Sequence, residues 1–268
     1  MKIPLSVCVI TKNEERHIRE CLESVKGRVE EIVVLDSGSE DRTQAIAREF
    51  TDRVHERPFS NFSEQKNACA ALASRDWVLV LDADERMEPD AWPFLEGLFS
   101  VGEPKAHAAY AFPRRTISAD GRFHLWINHY PSFVDRLYDR RRCRLVQEVH
   151  EWLRIDGTRG FVPHHILHAP KLSASTEAEK RKLYGELKAR MAKLPEPSLG
   201  ARISRKWEAL AFATGAFWAM GLFWKGPEYA GFLFRWYAVS LLPFLRPLTY
   251  LHKEIPPPAE ERSPAHAH

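Results

Sequence analysis

The sequence predicts an α/β fold: a mostly parallel sheet flanked by helices, with a small antiparallel element and a C-terminal helical extension. Three observations carry this expectation. Short apolar runs of strand length alternate with segments of helical period through the N-terminal part of the chain. The links between them are short, which favours strand–helix–strand repeats and a parallel sheet covered by helices. Three of the runs end on a polar residue, Thr11, Asp36 and Asp82. In open α/β sheets ligands lie beyond the strand carboxyl ends, so these residues mark a candidate site.

Taken in order, residues 5–10 read as a strand. Thr11-Lys12-Asn13-Glu14 fits a helix capping box, followed by Ile18, Cys21, Leu22 and Val25 at helical spacing. Residues 31–35 form a second strand ending at Asp36. Ser37-Gly38-Ser39 is a turn, and Glu40 and Asp41 suit the positive end of the next helix. Residues 53–56 read as a short third strand, 63–73 as an alanine-rich helix and 77–82 as a buried strand. From about residue 105 the pattern changes. Strand-like pieces at 108–113, 122–127 and 132–138 follow without intervening helices, which suggests antiparallel hairpin material. Thr176 to Glu179 is another capping box, opening an amphipathic helix to Leu194 with Leu183, Leu187 and Met191 on its apolar face; Pro195 ends it.

The domain expectation is therefore a catalytic-type α/β unit over 1–195, an apolar helical segment over 196–252 and a disordered tail over 253–268. Residues 210–224 are almost wholly apolar between Lys206 and Lys225, and 229–251 are aromatic-rich but broken by Arg235, Pro243, Arg246 and Pro247. A spanning helix needs roughly 20 apolar residues. Helices lying in a membrane interface are the favoured reading, with tryptophans at headgroup level; a buried hairpin, a dimer contact and true spanning are the alternatives.

The chain has 268 residues, 44% hydrophobic and 28% charged, a globular composition. A net charge of +3 gives no global reason to expect nucleic acid as a partner. The four cysteines, Cys8, Cys21, Cys69 and Cys143, are scattered without a paired motif and are expected as buried thiols, which suits a cytosolic chain. No signal peptide is expected: the N-terminal apolar run is short, contains Pro4 and leads into Lys12-Asn13-Glu14-Glu15.

The acidic pair Asp82 and Asp84 closes the last strand. Residues i and i+2 of a strand share a face, so extended geometry through Asp84 would bring the two carboxylates together. A hard divalent cation relieves their repulsion and shares its oxygen ligands with a substrate phosphate. Asp36 offers an acceptor for a nucleobase or ribose, or else caps a helix. Lys66 could balance a diphosphate. In Glu148-Val149-His150-Glu151-Trp152, a glutamate beside an aromatic could have a raised pKa and act as a general base, with His150 positioning it. His168 is a candidate metal or phosphate contact. Arg136, Arg140, Arg141, Arg142 and Arg144, with Arg114 and Arg115 earlier, form a basic patch suited to an anionic acceptor or phospholipid headgroups. No zinc-type spacing occurs.

Together these residues resemble glycosyltransferase family 2, whose fold is the GT-A nucleotide-sugar fold. The resemblance rests on four ordered motifs: Val9 to Glu15, Val34 to Thr43, Ser63 to Ala68 and Leu81 to Asp84. Arg136-Leu137-Tyr138 and Val149-His150-Glu151 resemble the lipopolysaccharide core β-glycosyltransferases. The resemblance implies that Thr11, Asn13, Glu14, Asp36 and Ser37 line a nucleotide pocket. Lys66 would approach the base or phosphate. Asp82 would contact the ribose or the metal-bound phosphate, and Asp84, with Asp82 and His168, would hold Mg²⁺ or Mn²⁺. The family's Glu-Asp pair is replaced here by His150-Glu151, so Glu151 is the expected base. Arg136, Arg140 and Arg142 would meet an anionic acceptor. The implied activity is inverting transfer of a sugar, glucose from a UDP donor, to a membrane glycolipid such as lipopolysaccharide inner core, at the inner face of the bacterial cytoplasmic membrane. A polyprenyl-phosphate acceptor, a nucleotidyltransferase and a catalytically silent nucleotide-sugar-binding adaptor are the competing readings.

Overall fold

In a computed structural model the structure describes residues 2–117, 132–148, 151–169, 182–187 and 189–190. The expected hairpin piece at 122–127, His150, the start and end of the 176–194 helix, and the whole of 196–268 lie outside the described residues.

The first half alternates as the sequence requires. Strand β1 (Ile3–Thr11), helix α1 (Ile18–Val25), β2 (Val29–Asp36), α2 (Thr43–Arg48), β3 (Val54–Glu56), α3 (Phe62–Leu72) and β4 (Trp77–Asp82) follow one another. Next come β5 (Glu85–Met87), α4 (Ala91–Leu98), β6 (Ala109–Thr116), β7 (Ser132–Asp139), β8 (Cys143–Val146), β9 (Trp152–Ile155), β10 (Arg159–Phe161) and β11 (Ile166–His168). Nine strands make one sheet in the order β3-β2-β1-β4-β7-β6-β11-β5, with β10 beside β6; β8 and β9 form a separate antiparallel pair. The first four strands are mutually parallel, and β7 enters antiparallel between β4 and β6. The expected α/β sheet with a small antiparallel element is thus present.

Strand periodicity sorts the core into two layers. Val7, Val9, Leu79 and Leu81 pack against α1 and α4, whereas Cys8, Ile10, Val78 and Val80 pack against α3. The same alternation carries Asp82, two residues beyond Val80, to the α3 side of the sheet. All four cysteines are buried and free.

Some local expectations are corrected. Thr11 to Glu14 is not a capping box, because Thr11 still belongs to β1 and Asn13 adopts φ 52°. That left-handed residue turns the chain toward the β2 loop, and α1 starts only at Ile18, without a side-chain cap. The segments 85–87, 91–98 and 143–155 form elements that their short patterns did not announce.

Candidate active site

The parallel strands set the site. Thr11 is paired in register with Asp36, and Ile10 with Asp82, so the polar ends of β2, β1 and β4 lie side by side. The loops after β1 and β2 are stitched together. The Asn13 amide donates to Ser39 Oγ at 2.8 Å, the Glu40 amide to Asn13 Oδ1 at 2.8 Å, and the Glu14 amide to Thr43 Oγ1 at 2.7 Å. Asp36 is fully buried, and its carboxylate accepts from the Gly38 amide at 2.9 Å, the Ser39 amide at 2.7 Å and Gln44 Nε2 at 2.9 Å. Asp36 caps no helix, since α2 begins only at Thr43 after Arg42; its carboxylate instead shapes the turn after β2, with Gly38 at φ 81°. Ser37 is buried beneath the same turn and accepts from Gln65 of α3 at 2.9 Å.

Helix α3 begins at a strong cap. Asn61 Oδ1 accepts from the Glu64 amide at 2.9 Å. One turn into the helix Lys66 turns inward, with its side chain 2% exposed, and its ammonium lies 3.0 Å from Asp82 and directly against Glu151. Arg136 approaches Asp82 from β7 at 2.7 Å and Glu85 at 2.6 Å. The β6–β7 register slips between Tyr110–Leu137 and Ala111–Asp135, leaving Arg136 as the extra residue of a bulge. Bulges re-aim side chains in this way. Glu85, fully buried, also accepts from the Asp82 amide at 3.1 Å. Carboxylates Asp82, Glu85 and Glu151 thus face cations Lys66 and Arg136, with Arg114 3.5 Å from Glu85.

The electrostatics follow from this packing. Burial pushes the Asp82 carboxyl up, but Lys66 and Arg136 outweigh it and hold the group well below the usual carboxylate range. Burial disfavours the Lys66 ammonium, yet Asp82 and then Glu151 keep its pKa above the ordinary lysine value. Glu151 likewise suffers burial, and the Lys66 charge brings it below 4.5. The raised pKa expected from a neighbouring aromatic is therefore corrected: the adjacent cation dominates over the apolar surroundings.

Asp84 does not share a face with Asp82 by strand geometry, since β4 ends at Asp82 and the chain turns. Asp84 instead faces His168 of β11, with Oδ2 3.4 Å from Nε2, while His168 Nδ1 lies 3.4 Å from Thr116 Oγ1. A carboxylate beside an imidazole whose other nitrogen is oriented by a hydroxyl suits Mn²⁺ or Mg²⁺ as two ligands of a larger set. Among the described residues no group of three or more His, Cys, Asp or Glu side chains could hold a metal alone. The fit is thus to an ion that takes its remaining ligands from water and a diphosphate. Asp82 is engaged by Lys66 and Arg136 and is not part of this pair.

The basic patch is divided. Arg136 is buried in the site, whereas Arg140 and Arg142 follow β7, whose Asp139 is paired with Trp77 at the opposite end of β4. Arg140 is bound to the Arg75 carbonyl at 3.0 Å and lines an open cleft of about 470 Å³ beside α3, with Arg57 and Arg144. Arg142 packs over Gly157. Neither shares the rim with Asp82, because the strand between them runs the full depth of the sheet. The sequence did not single out Glu85, which could have been suspected as a third carboxylate directly after an apolar strand.

The profile of Glycosyl transferase family 2 matches residues 6–151. The lipopolysaccharide core biosynthesis glycosyltransferase LpsC of Rhizobium meliloti is 28% identical over 70% of this chain and 71% of its own. An uncharacterized glycosyltransferase of Rickettsia felis is 35% identical over 40% of this chain, and a TPR repeat-containing protein of Synechococcus elongatus is 42% identical over 39% of it. The matches span only 38% and 26% of those two relatives' lengths. With more than half its length matched by the family profile, this chain belongs to glycosyl transferase family 2.

Proposed function

We propose that the chain is an inverting glycosyltransferase that moves a sugar, glucose from UDP-glucose, onto a glycolipid acceptor of the lipopolysaccharide inner-core type. The observation that carries the reading is buried Lys66, which joins Asp82 to Glu151 at the carboxyl end of β4. It couples the donor side of the rim to a carboxylate able to accept a proton. The similarity to LpsC supports the acceptor class.

In this reading the loops after β1 and β2, carrying Thr11, Asn13, Glu14 and Ser37, receive the nucleoside, with Asp36 holding their shape. Asp82 and Lys66 orient the ribose and diphosphate. Asp84 and His168 would hold Mg²⁺ or Mn²⁺, which when bound supplies charge stabilisation for a departing diphosphate. The Glu151 carboxylate takes the proton of the attacking acceptor hydroxyl while that hydroxyl oxygen approaches the anomeric carbon in line. Its low pKa keeps it ionised and ready at neutral pH. Arg136 fixes Asp82 and Glu85 in place. Action at the inner face of the cytoplasmic membrane, with the apolar segment 196–252 as the contact, completes the proposal. Among the described residues no helix is long and apolar enough to cross a membrane.

The test is transfer of radiolabelled sugar from UDP-glucose to purified core glycolipid with and without Mn²⁺. Turnover lost in Asp84→Ala supports the reading. Donor binding without transfer to any acceptor, or undiminished turnover in Glu151→Gln, would sink it.

A further inference from the structure

The open cleft beside α3 is lined by none of Asp82, Lys66 and Glu151. Glu64, Asn67, Ala68 and Ala71 recur at helical spacing and form its helix wall, while Lys66 and Cys69 turn to the buried side of α3. The small side chains of Ala68 and Ala71 leave the space open. Its volume of about 470 Å³ is that of a small-molecule site, for which roughly 300–1,000 Å³ is usual. β8 forms another wall through Cys143 and Arg144, and β7 contributes Tyr138.

Arg57, Arg140 and Arg144 line this cleft against Glu64. Glu64 lies 3.6 Å from Arg57, and Arg140 lies 3.6 Å from Asp76, an acid it shares with Arg141. The Arg144 guanidinium has no hydrogen bond or ion pair among the described residues. The cleft therefore carries unmatched positive charge. Tyr138 is an independent sign of a ligand. Its side chain is 1% exposed, and its hydroxyl has no hydrogen-bond partner among the described residues. A buried donor left unmet is costly and marks the place of a missing acceptor. Burial pushes the Tyr138 phenol well above its usual value, so the hydroxyl keeps its proton.

The walls of the cleft also carry groups of the rim. Asn67 ties α3 to β8: its Nδ2 donates to the Leu145 carbonyl at 2.8 Å, and its Oδ1 accepts from the Leu145 amide at 3.0 Å. β8 pairs with β9, which begins at Trp152, next to Glu151. A ligand spanning the cleft would brace the helix and the hairpin that bring Lys66 to Glu151.

We propose that the cleft is a second ligand site, separate from the rim, that takes the phosphomonoester group of a small soluble molecule and ties α3 to the β8–β9 hairpin. Three guanidiniums against one carboxylate suit a dianion, which a phosphomonoester is near neutral pH. Arginine forks match its oxygens, and the Tyr138 hydroxyl donates to the same ligand. A hydroxyl this deeply buried is out of reach of a headgroup held at a bilayer surface. The site stands whether or not the rim transfers a sugar.

The test is calorimetric titration of the full chain with glycerol 3-phosphate, with and without UDP and Mg²⁺. Glycerol 3-phosphate should bind equally in both cases, and glycerate, a monoanion, about tenfold or more weakly. Arg144→Gln should weaken binding about tenfold or more, as loss of a charge-assisted hydrogen bond does. Tyr138→Phe should weaken it about fivefold without lowering the melting temperature. Arg142→Gln, outside the cleft, should leave it unchanged. Amide hydrogen exchange over 143–146 and 152–155 should slow on binding. Absence of binding, equal binding of glycerate, displacement by UDP, full binding by Arg144→Gln or unaltered exchange overturns the proposal. So does binding of phosphatidic acid vesicles without binding of free glycerol 3-phosphate, which would make the cleft a bilayer contact.

Discussion

Lys66 is an ammonium in the interior, tolerated because two carboxylates meet it. Removing it by Lys66→Met leaves Glu151 buried without its cation, and the expected loss of stability is about 3–5 kcal/mol, read by denaturant melts. The pH dependence has a definite sign. Glu151 and Asp82 are both held below their ordinary values of 4.5 and 3.8. Their pairing therefore contributes stability that is complete above those values and is lost as pH falls through the lower folded ones. In a transfer assay the acid limb of kcat/KM should lie below pH 4.5 in the native chain and move up in Lys66→Met. Glu151→Gln should lower kcat by about 10²–10⁴-fold while UDP binding is retained. At this scale Asp82, Lys66 and Glu151 were each legible in the sequence as candidates, and the structure brings the three together. Their partners were not. That Lys66 would span Asp82 and Glu151, and so depress rather than raise the base's pKa, depends on residues 16 and 85 positions apart meeting in the fold.

Helix α3 is the element that aims Lys66, and its cap fixes where the helix begins. Asn61→Ala should cost about 1 kcal/mol and weaken donor binding along with stability, measured by thermal unfolding and UDP titration on the same samples. The β7 bulge does the equivalent for Arg136: Arg136→Ala would leave buried Glu85 with the longer 3.5 Å pairing to Arg114, a change expected to cost about 3–5 kcal/mol and to be partly relieved by adding Glu85→Gln. The strand–helix alternation up to β4 was readable because each element is long enough to show its period. Three-residue strands such as β5 and β11 show none, yet they bring Glu85 and His168 opposite each other in register. Likewise the bulge is a property of pairing between strands and leaves no mark on β7 alone.

Across the whole molecule, one edge of the sheet gathers the ends of β1, β2, β4, β6 and β11, so loops from distant parts of the sequence form a single rim. Common strand direction does this; for β1, β2 and β4 it was foreseeable from the alternation, whereas the part of β6 and β11 was not, because the alternation stops before them. The division of the arginines between this rim and the far end of β7 was not, because a run of basic residues carries no information about which way its strand enters the sheet. The account depends on the rim holding a divalent cation together with a nucleoside diphosphate. Electron paramagnetic resonance of Mn²⁺ titrated into the chain with UDP measures that directly. The native protein should sequester Mn²⁺ only when UDP is present, and Asp84→Ala should return the ion to its free signal; Mn²⁺ that stays free with UDP, or is retained equally by Asp84→Ala, would contradict the account.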